Sequence, residues 1–348
     1  MGGPMRNTKD VVRLAVTLLA GALLVAGTEA LTSDAATAAG GGVVSNYGLG
    51  IEGPESMTTG PDGALWFINS YNDTIGRITT AGVVTNYTDS SIQAPGAITP
   101  GPDGALWFTN RGGGPSGTGS IGRITTAGVV TNYTDPSIDS PRSITTGPDG
   151  AMWFTNDGLT ISIGRITTAG VVTNYTDPSI TGPGDITTGP DGALWFTNYS
   201  SIGRITTVTT YTSASLKYPA SITAGPDGAL WFTNSYSPGS IGRITTAGVV
   251  TNYTGTAIDG PGSITTGPDG AMWFTNNRSS VGRITTAGIV SSYTAPSVDF
   301  PSGIATGPDG ALWFANFNGL HRSHHHGRDR FQLHRHWSPR SPRNHLRS

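Results

Sequence analysis

The chain is a succession of short runs of β-branched and aromatic residues that are interrupted every few positions by Gly, Pro, Asp and Thr. Runs such as IGRIT and VVTNY have the composition that strands favour, and the residues between them are those of tight turns. In the adjacent Trp-Phe pairs the two rings must point to opposite faces of a strand, because side chains alternate along it. The pattern predicts an all-β protein whose strands bury both faces.

One pattern repeats along most of the chain. A unit reads P-x-x-I-T, GPDG, ALWFTN, SIGRITTAG and VVTNYT, which predicts four short strands. The motif G-P-D-G-A-[LM]-W-F occurs seven times, and successive tryptophans are 36 to 46 residues apart. They are Trp66, Trp107, Trp153, Trp195, Trp231, Trp273 and Trp313.

Two turns in each unit have a clear chemical basis. In the Pro268, Asp269 and Gly270 segment, Pro presets φ, Asp can bond the backbone two residues on, and Gly can adopt positive φ. Thr-Ala-Gly at 286–288 plays the same part between the third and fourth strands. Each unit is therefore expected to be an antiparallel meander.

Four-stranded units of about 40 residues that bury both faces are typical of a β-propeller. We predict a propeller of about seven blades over residues 41–318, with the last blade incomplete. A β-helix has shorter coils, and a sandwich has no reason to repeat Trp-Phe at one phase. Residues 43–47 (VVSNY) match a fourth strand but precede the first complete unit, so we expect this orphan strand to close the ring with the last blade.

Composition narrows the possibilities further. With 51 Gly and 23 Pro among 348 residues, and lysine only at Lys9 and Lys217, a helical bundle is excluded. The absence of cysteine excludes disulfides, a thiolate nucleophile and Cys-ligated metals.

The N-terminus has the pattern of a signal peptide over residues 1–38. Arg6, Lys9 and Arg13 precede an uncharged apolar stretch at 14–27, and Ala-Thr-Ala at 36–38 offers a cleavage pattern. We therefore predict an extracellular protein with no membrane span after cleavage. An uncleaved N-terminal anchor is the alternative.

The tail at 319–348 departs from the repeat and contains all seven histidines and seven arginines. A His-rich tract could bind metal and a basic one nucleic acid. We favour a frameshift, with the tail disordered as written. Read one base later, residues 320–337 can spell SIGRITTAGTVSSYTGTG, which matches the strands at 280–294.

The basic tail also offsets the negative net charge of the rest of the chain. Without residues 321–348, which carry seven Arg and one Asp, the chain has a formal charge of −8 rather than −2. Because binding to phosphates needs a basic face, nucleic acid is not an expected partner of the propeller.

The repeated GPDG, WFTN and IGRIT motifs at about 43–316 resemble those of the virginiamycin B lyase (streptogramin lyase) family of seven-bladed propellers. The resemblance implies ring opening of streptogramin B antibiotics by elimination, with a histidine base in P-H-x-I and Mg²⁺ held by glutamates in W-F-T-E. This chain differs at both places. After the proline stand Glu55, Gly96, Arg142, Gly184, Ala220, Gly262 and Ser302.

At the glutamate position all seven units carry asparagine, which adds no charge to a metal site and cannot act as a base. We predict no catalytic residue, no metal ligand and no cofactor, although the family implies Mg²⁺. The asparagines could present a polar ring to an uncharged ligand, or each could bond its own strand end. They are Asn69, Asn110, Asn156, Asn198, Asn234, Asn276 and Asn316.

Charged residues at or beside the post-proline position are further ligand-binding candidates, namely Glu55, Arg142 and Asp185, unless they are solvated loop charges. The IGRI arginines are expected to be structural, leaning over the aromatic rings or the backbone of the neighbouring blade with their stems packed and their charged ends in water. The aspartate of each GPDG is assigned to the turn.

Together these features predict a secreted binding or cell-surface module whose ligand is a small molecule, a glycan or an extracellular peptide. The alternative is a streptogramin-type C–O lyase or another hydrolase whose site is partly encoded beyond the frameshift.

Overall fold

The computed structural model describes residues 11–15, 36–37, 43–47, 50–112, 119–206, 208–277 and 279–316. Within these ranges every regular element is a strand, and none is a helix that could cross a membrane. The predicted tail at 319–348 lies outside the described residues.

Six sheets have four antiparallel strands each, in chain order from first to fourth. Blades 1 to 3 consist of β4 (Pro54–Thr59), β5 (Leu65–Asn69), β6 (Thr74–Ile78), β7 (Val84–Tyr87), β8 (Pro95–Pro100), β9 (Leu106–Asn110), β10 (Ser120–Ile124), β11 (Val130–Tyr133), β12 (Pro141–Thr146), β13 (Met152–Asn156), β14 (Ser162–Ile166) and β15 (Val172–Tyr175). Blades 4 to 6 consist of β16 (Ile186–Thr188), β17 (Leu194–Thr197), β18 (Ser201–Ile205), β19 (Thr209–Thr212), β20 (Pro219–Ala224), β21 (Ala229–Asn234), β22 (Ser240–Thr245), β23 (Val250–Tyr253), β24 (Ile264–Thr266), β25 (Met272–Thr275), β26 (Ser280–Ile284) and β27 (Val290–Thr294).

The repeat supplies only two strands to the seventh sheet, β28 (Pro301–Thr306) and β29 (Leu312–Asn316). The sheet continues with β1 (Val11–Ala15), β3 (Val43–Tyr47) and β2 (Ala36–Thr37) in that spatial order. The predicted orphan strand therefore belongs to the last blade, in the fourth place. Its direct partner is β1, however, rather than the repeat strand β29.

Strands β1 and β2 lie within the segment predicted as a signal peptide. In this arrangement β1 takes the third place of the seventh blade, which the repeat leaves empty. Cleavage after residue 38 would remove β1. A molecule whose signal peptide has been cleaved therefore cannot contain the pairing of β1 with β29 and β3. The signal peptide stays a prediction.

The first strands surround the axis of the propeller, and each packs against the first strand of the next blade. The ring closes between blades 7 and 1, where Thr59 Oγ1 donates to the carbonyl of Thr306 at 2.8 Å and Ser302 Oγ donates to that of Pro54 at 3.0 Å. The predicted propeller is confirmed, with six complete blades and a seventh that the repeat leaves incomplete.

The hydrophobic core is divided into clusters between successive blades. In each, the Trp face of one blade packs against the Phe face of the next, because adjacent residues of a strand point to opposite sides. Between blades 1 and 2, for example, Trp66 and Ile75 pack with Leu106 and Phe108. Between blades 7 and 1, Trp313 packs with Phe67, so the last interface is filled like the others.

The GPDG aspartate does more than shape its turn. Asp62 Oδ1 accepts a hydrogen bond from Trp66 Nε1 at 2.9 Å, and Oδ2 accepts one from Arg77 Nε at 2.6 Å. Desolvation opposes ionisation, but these hydrogen bonds and the charge of Arg77 lower the pKa of Asp62. The aspartate thus joins the first turn to the second and third strands, a contact that the turn motif alone did not predict.

The repeated arginines occupy structural positions, as expected, but they lean over their own blade. The guanidinium carbon of Arg77 lies 6.0 Å from the ring centre of Trp66, which is its cross-strand partner. The prediction that these arginines would cover the neighbouring blade's rings was wrong. Tyr87 of the fourth strand stacks on the same indole, with ring centres 5.2 Å apart.

Candidate functional site

In each blade, the first strand begins at the end of the sheet where the second strand finishes. In five blades the proline that starts the first strand is paired with the asparagine that ends the second, as Pro141 is with Asn156. The residue after the proline and the residue after the asparagine therefore lie beside each other around one opening of the channel. We call this opening the mouth.

The seven asparagines do not form a polar ring at the mouth, and this corrects the binding role predicted for them. Each is at most 3% exposed, and each Oδ1 accepts a backbone N–H from the residue seventeen positions earlier. The amide nitrogens are also engaged: Asn234 Nδ2 donates to the Ser215 carbonyl, to Ser240 Oγ and to Asn252 Oδ1. The asparagines therefore anchor the loops that enter each blade.

Two of the three charged candidates, Glu55 and Arg142, directly follow the proline of their blade and lie at the mouth. Arg142 Nη1 forms an ion pair with Asp157 Oδ2 at 3.0 Å, and both side chains are partly exposed. Asp157 follows the asparagine of its blade, so the pair joins the two mouth positions of blade 3. Arg111 holds the equivalent position in blade 2. We call Glu55, Arg111, Arg142 and Asp157 the charged arc.

Arg111 is the least satisfied member of the charged arc. Its Nε is buried and has no hydrogen-bond partner among the described residues. Desolvation lowers the pKa of the Arg111 guanidinium, the positive charge of Arg142 lowers it further, and the carboxylates of Glu55 and Asp157 oppose both effects. An arginine remains protonated under these conditions, so the arc contains a cation that lacks a direct counter-ion within the described part of the chain.

An aromatic group continues the mouth in blades 4 and 5. Tyr199, Tyr218 and Tyr236 are 58%, 42% and 59% exposed, respectively. The rings of Tyr199 and Tyr218 meet edge to face with centres 4.6 Å apart, and those of Tyr218 and Tyr236 stack at 5.6 Å. We call these residues the tyrosine cluster.

Asp185 is not presented at the mouth, in contrast to its prediction as a specificity residue. Oδ1 accepts hydrogen bonds from Ser143 Oγ at 2.6 Å and from the Ile186 amide, and Oδ2 accepts from Ser221 Oγ and the Ile222 amide. Burial raises the pKa of this carboxyl despite the four hydrogen bonds. Because Ser143 and Ser221 belong to blades 3 and 5, Asp185 ties three blades together.

Comparisons with known proteins agree with this architecture. The model of the virginiamycin B lyase family matches residues 27–216 and 176–328, which together are more than half of the chain. The chain belongs to the virginiamycin B lyase family. No curated protein matches the sequence.

A solved streptogramin B lyase is 33% identical, with a TM-score of 0.69 over 76% of this chain and 91% of that one. Virginiamycin B lyase from Staphylococcus aureus is 32% identical, with a TM-score of 0.65 over 76% and 94% of the two chains. Hydrazine synthase from Kuenenia stuttgartiensis, 17% identical with a TM-score of 0.63 over 77% and 94%, shares the fold alone.

The Mg²⁺ that the virginiamycin B lyase family implies does not fit the donor set of this chain. At the family's glutamate position stand buried asparagines whose side-chain oxygens already accept backbone N–H groups. Among the described residues there is also no group of three His, Cys, Asp or Glu side chains that could hold a metal. We therefore attribute no reaction step in this chain to a metal ion.

Sequence reasoning missed Arg111, Asp157 and the tyrosine cluster. The sequence did contain a signal for this surface, because the residue after each asparagine differs from blade to blade. In blades 1 to 6 it is Ser70, Arg111, Asp157, Tyr199, Ser235 and Asn277. In a chain of near-identical units, such variation marks the surface that distinguishes one blade from another.

Proposed function

We propose that this chain is an extracellular, non-catalytic binding module of the virginiamycin B lyase family, with its ligand at the mouth of the channel. The observation that carries the proposal is the contrast between uniform blades and a mouth that differs from blade to blade. Turns, Trp-Phe pairs and IGRI strands repeat, whereas the mouth presents Glu55 and Tyr71 in blade 1, charges in blades 2 and 3 and tyrosines in blades 4 and 5. A small molecule, a glycan or a peptide fits such a surface.

The chemistry at the family positions supports a non-catalytic role. Residues 1–320 contain no histidine, so the family's base has no counterpart in the repeats. Proton abstraction beside a carbonyl needs an acceptor poised near neutral pH, which the amides at the glutamate position cannot provide. Asp185, the carboxyl with the raised pKa, accepts four hydrogen bonds, three of them from neighbouring blades.

An extracellular location is supported by the signal-peptide pattern at 1–38. A propeller from B. thetaiotaomicron that is 16% identical, with a TM-score of 0.60 over 80% of this chain and 45% of that one, is the extracellular domain of a one-component system. That likeness concerns the fold alone.

The direct test uses quinupristin, with which a catalytically inactive virginiamycin B lyase from Staphylococcus aureus was solved. The full chain and that species' active enzyme are each incubated with quinupristin and MgCl₂, and ring opening is followed by mass spectrometry. We expect turnover by the active enzyme and no opening above the buffer rate with this chain. Sustained turnover by this chain would overturn the proposal and favour the lyase alternative.

A further inference from the structure

Arg111 is held in a site that leaves its charge available to a ligand. A Cβ placed on Gly96 would lie 2.8 Å from Arg111 Nε and 3.2 Å from Nη2, so the guanidinium rests against a backbone that carries no side chain. The guanidinium is partly exposed and its Nε has no hydrogen-bond partner among the described residues, and a carboxylate matches the planar donors of a guanidinium.

Arg142 lies close enough to Arg111 for its charge to affect that group, and its own pair with Asp157 is partly exposed. Glu55 approaches Arg111 from the blade 1 side. The carboxylates of Glu55 and Asp157 flank the two guanidiniums, so an incoming anion is attracted between Arg111 and Arg142 and repelled on either side of them.

The tyrosine cluster lies on a backbone conformation that the blades share. Tyr218 has a φ of 52°, a left-handed conformation that bulky residues rarely adopt. The residue before the proline has a positive φ in every blade: it is glycine at Gly53, Gly182 and Gly260, and Ala94, Ser140 and Phe300 in the other three. The left-handed conformation therefore belongs to the repeat, and blade 5 uses it to hold an exposed tyrosine ring at the mouth.

The charged arc and the tyrosine cluster border the same gap. A Cβ on Gly182 would lie 3.8 Å from Asp157 Oδ1 and 3.9 Å from Tyr199 Cδ2, so the carboxylate and the ring face each other across a residue without a side chain. A ligand that contacts both the guanidiniums and the tyrosines passes over this gap.

We propose that the mouth binds an acidic carbohydrate, with one carboxylate held by Arg111 and Arg142 and a neighbouring sugar ring stacked on the tyrosine cluster. The inference rests on the proposed function and names its ligand class. Tyrosine suits a sugar because its ring offers an apolar face and its hydroxyl a hydrogen bond.

Calorimetric titration of the full chain with trigalacturonate tests this inference, with the fully methyl-esterified trimer as an uncharged probe of the same shape. We expect the acid to bind at least about tenfold more tightly than the ester, because charge-assisted hydrogen bonds require its carboxylates. The acid's affinity should fall with added salt.

Three variants locate the site, each using a residue that another blade carries at the same place. Arg111→Ser follows Ser70 and Ser235, Tyr218→Gly follows Gly182, and the charge control Lys217→Thr follows Thr181. We expect Arg111→Ser and Tyr218→Gly each to weaken binding of the acid about tenfold, and Lys217→Thr to leave it within about twofold. Thermal unfolding verifies that each variant is folded.

The outcomes separate this inference from the proposed function. Equal binding of acid and ester would overturn the carboxylate subsite and leave a binding role intact. If the protein binds neither the acid nor the ester trimer, the proposal that its ligand is an acidic carbohydrate is overturned. Turnover of quinupristin would overturn the proposed function, whatever the trimers do.

Discussion

At the scale of single residues, the glycine of each IGRI strand is fixed by the ring beside it. A Cβ on Gly242 would lie 2.0 Å from Phe232 Cζ, inside a fully buried ring contact. We expect Gly242→Ala to lower the free energy of unfolding by about 1–3 kcal/mol, the usual cost of overpacking. Gly255→Ala is the control, since nothing lies within 4 Å of its added Cβ. Equal urea midpoints for the two variants would contradict this packing.

Asp185 predicts an unusual dependence of stability on pH. Because burial raises its pKa, the folded protein holds this proton more tightly than the unfolded chain does. Its contribution to stability is therefore complete below the ordinary aspartate pKa of about 4 and is lost as pH rises through the raised value.

Asp185→Asn removes that titration. We expect the stability of the variant relative to the parent to increase between pH 4 and pH 8, as measured by urea unfolding at each pH. A difference that stays constant over this range would show that the carboxyl is not perturbed by folding.

At the scale of strands and loops, the buried asparagines hold the loop that enters each blade. Asn276 Oδ1 accepts the Asp259 N–H at 3.1 Å, and Nδ2 donates to the Ala257 carbonyl and to Ser280 Oγ. Asn276→Ala leaves these buried groups unpaired, so we expect a loss of about 1–3 kcal/mol in the free energy of unfolding. The adjacent, exposed Asn277→Ala should cost little. A large loss from Asn277→Ala alone would refute the assignment.

The strands and turns could be predicted from the sequence because their signals are local. Pro-Asp-Gly fixes a turn and IGRIT a strand within a few residues. The role of the asparagines could not be predicted, since the backbone groups that they bond lie seventeen and nineteen residues earlier, in a preceding loop. The bond from Arg77 to Asp62 was missed for the same reason, because it spans a hairpin.

The mouth shows the same division. Glu55 and Arg142 were found because they stand at a recognisable motif position, whereas Arg111 gained its meaning only from Gly96 beside it. The location of Asp185 was predicted wrongly because it stands one residue after Gly184, the post-proline position of blade 4. That step along the chain moves its side chain from the mouth to the contact between blades.

At the scale of the whole molecule, the N-terminal segment completes the seventh sheet. β1 pairs with β29 on one side and with β3 on the other, so a chain that starts at residue 39 loses the strand between them. We expect this truncated chain to have a lower urea midpoint than the full chain, and to scatter more light, because an unpaired edge promotes association. Equal midpoints would show that β1 contributes nothing to the folded body.

The central claim is that the mouth is a binding site organised around Arg111, and one pair of variants tests it without altering charge. Gly96→Ala and Gly262→Ala are the same substitution at equivalent places, and each added Cβ would lie 3.0 Å from a threonine hydroxyl. Only the Gly96 variant also displaces the Arg111 guanidinium. We predict that Gly96→Ala weakens trigalacturonate binding about tenfold and that Gly262→Ala leaves it within about twofold. Equal affinities for the two variants would contradict the account.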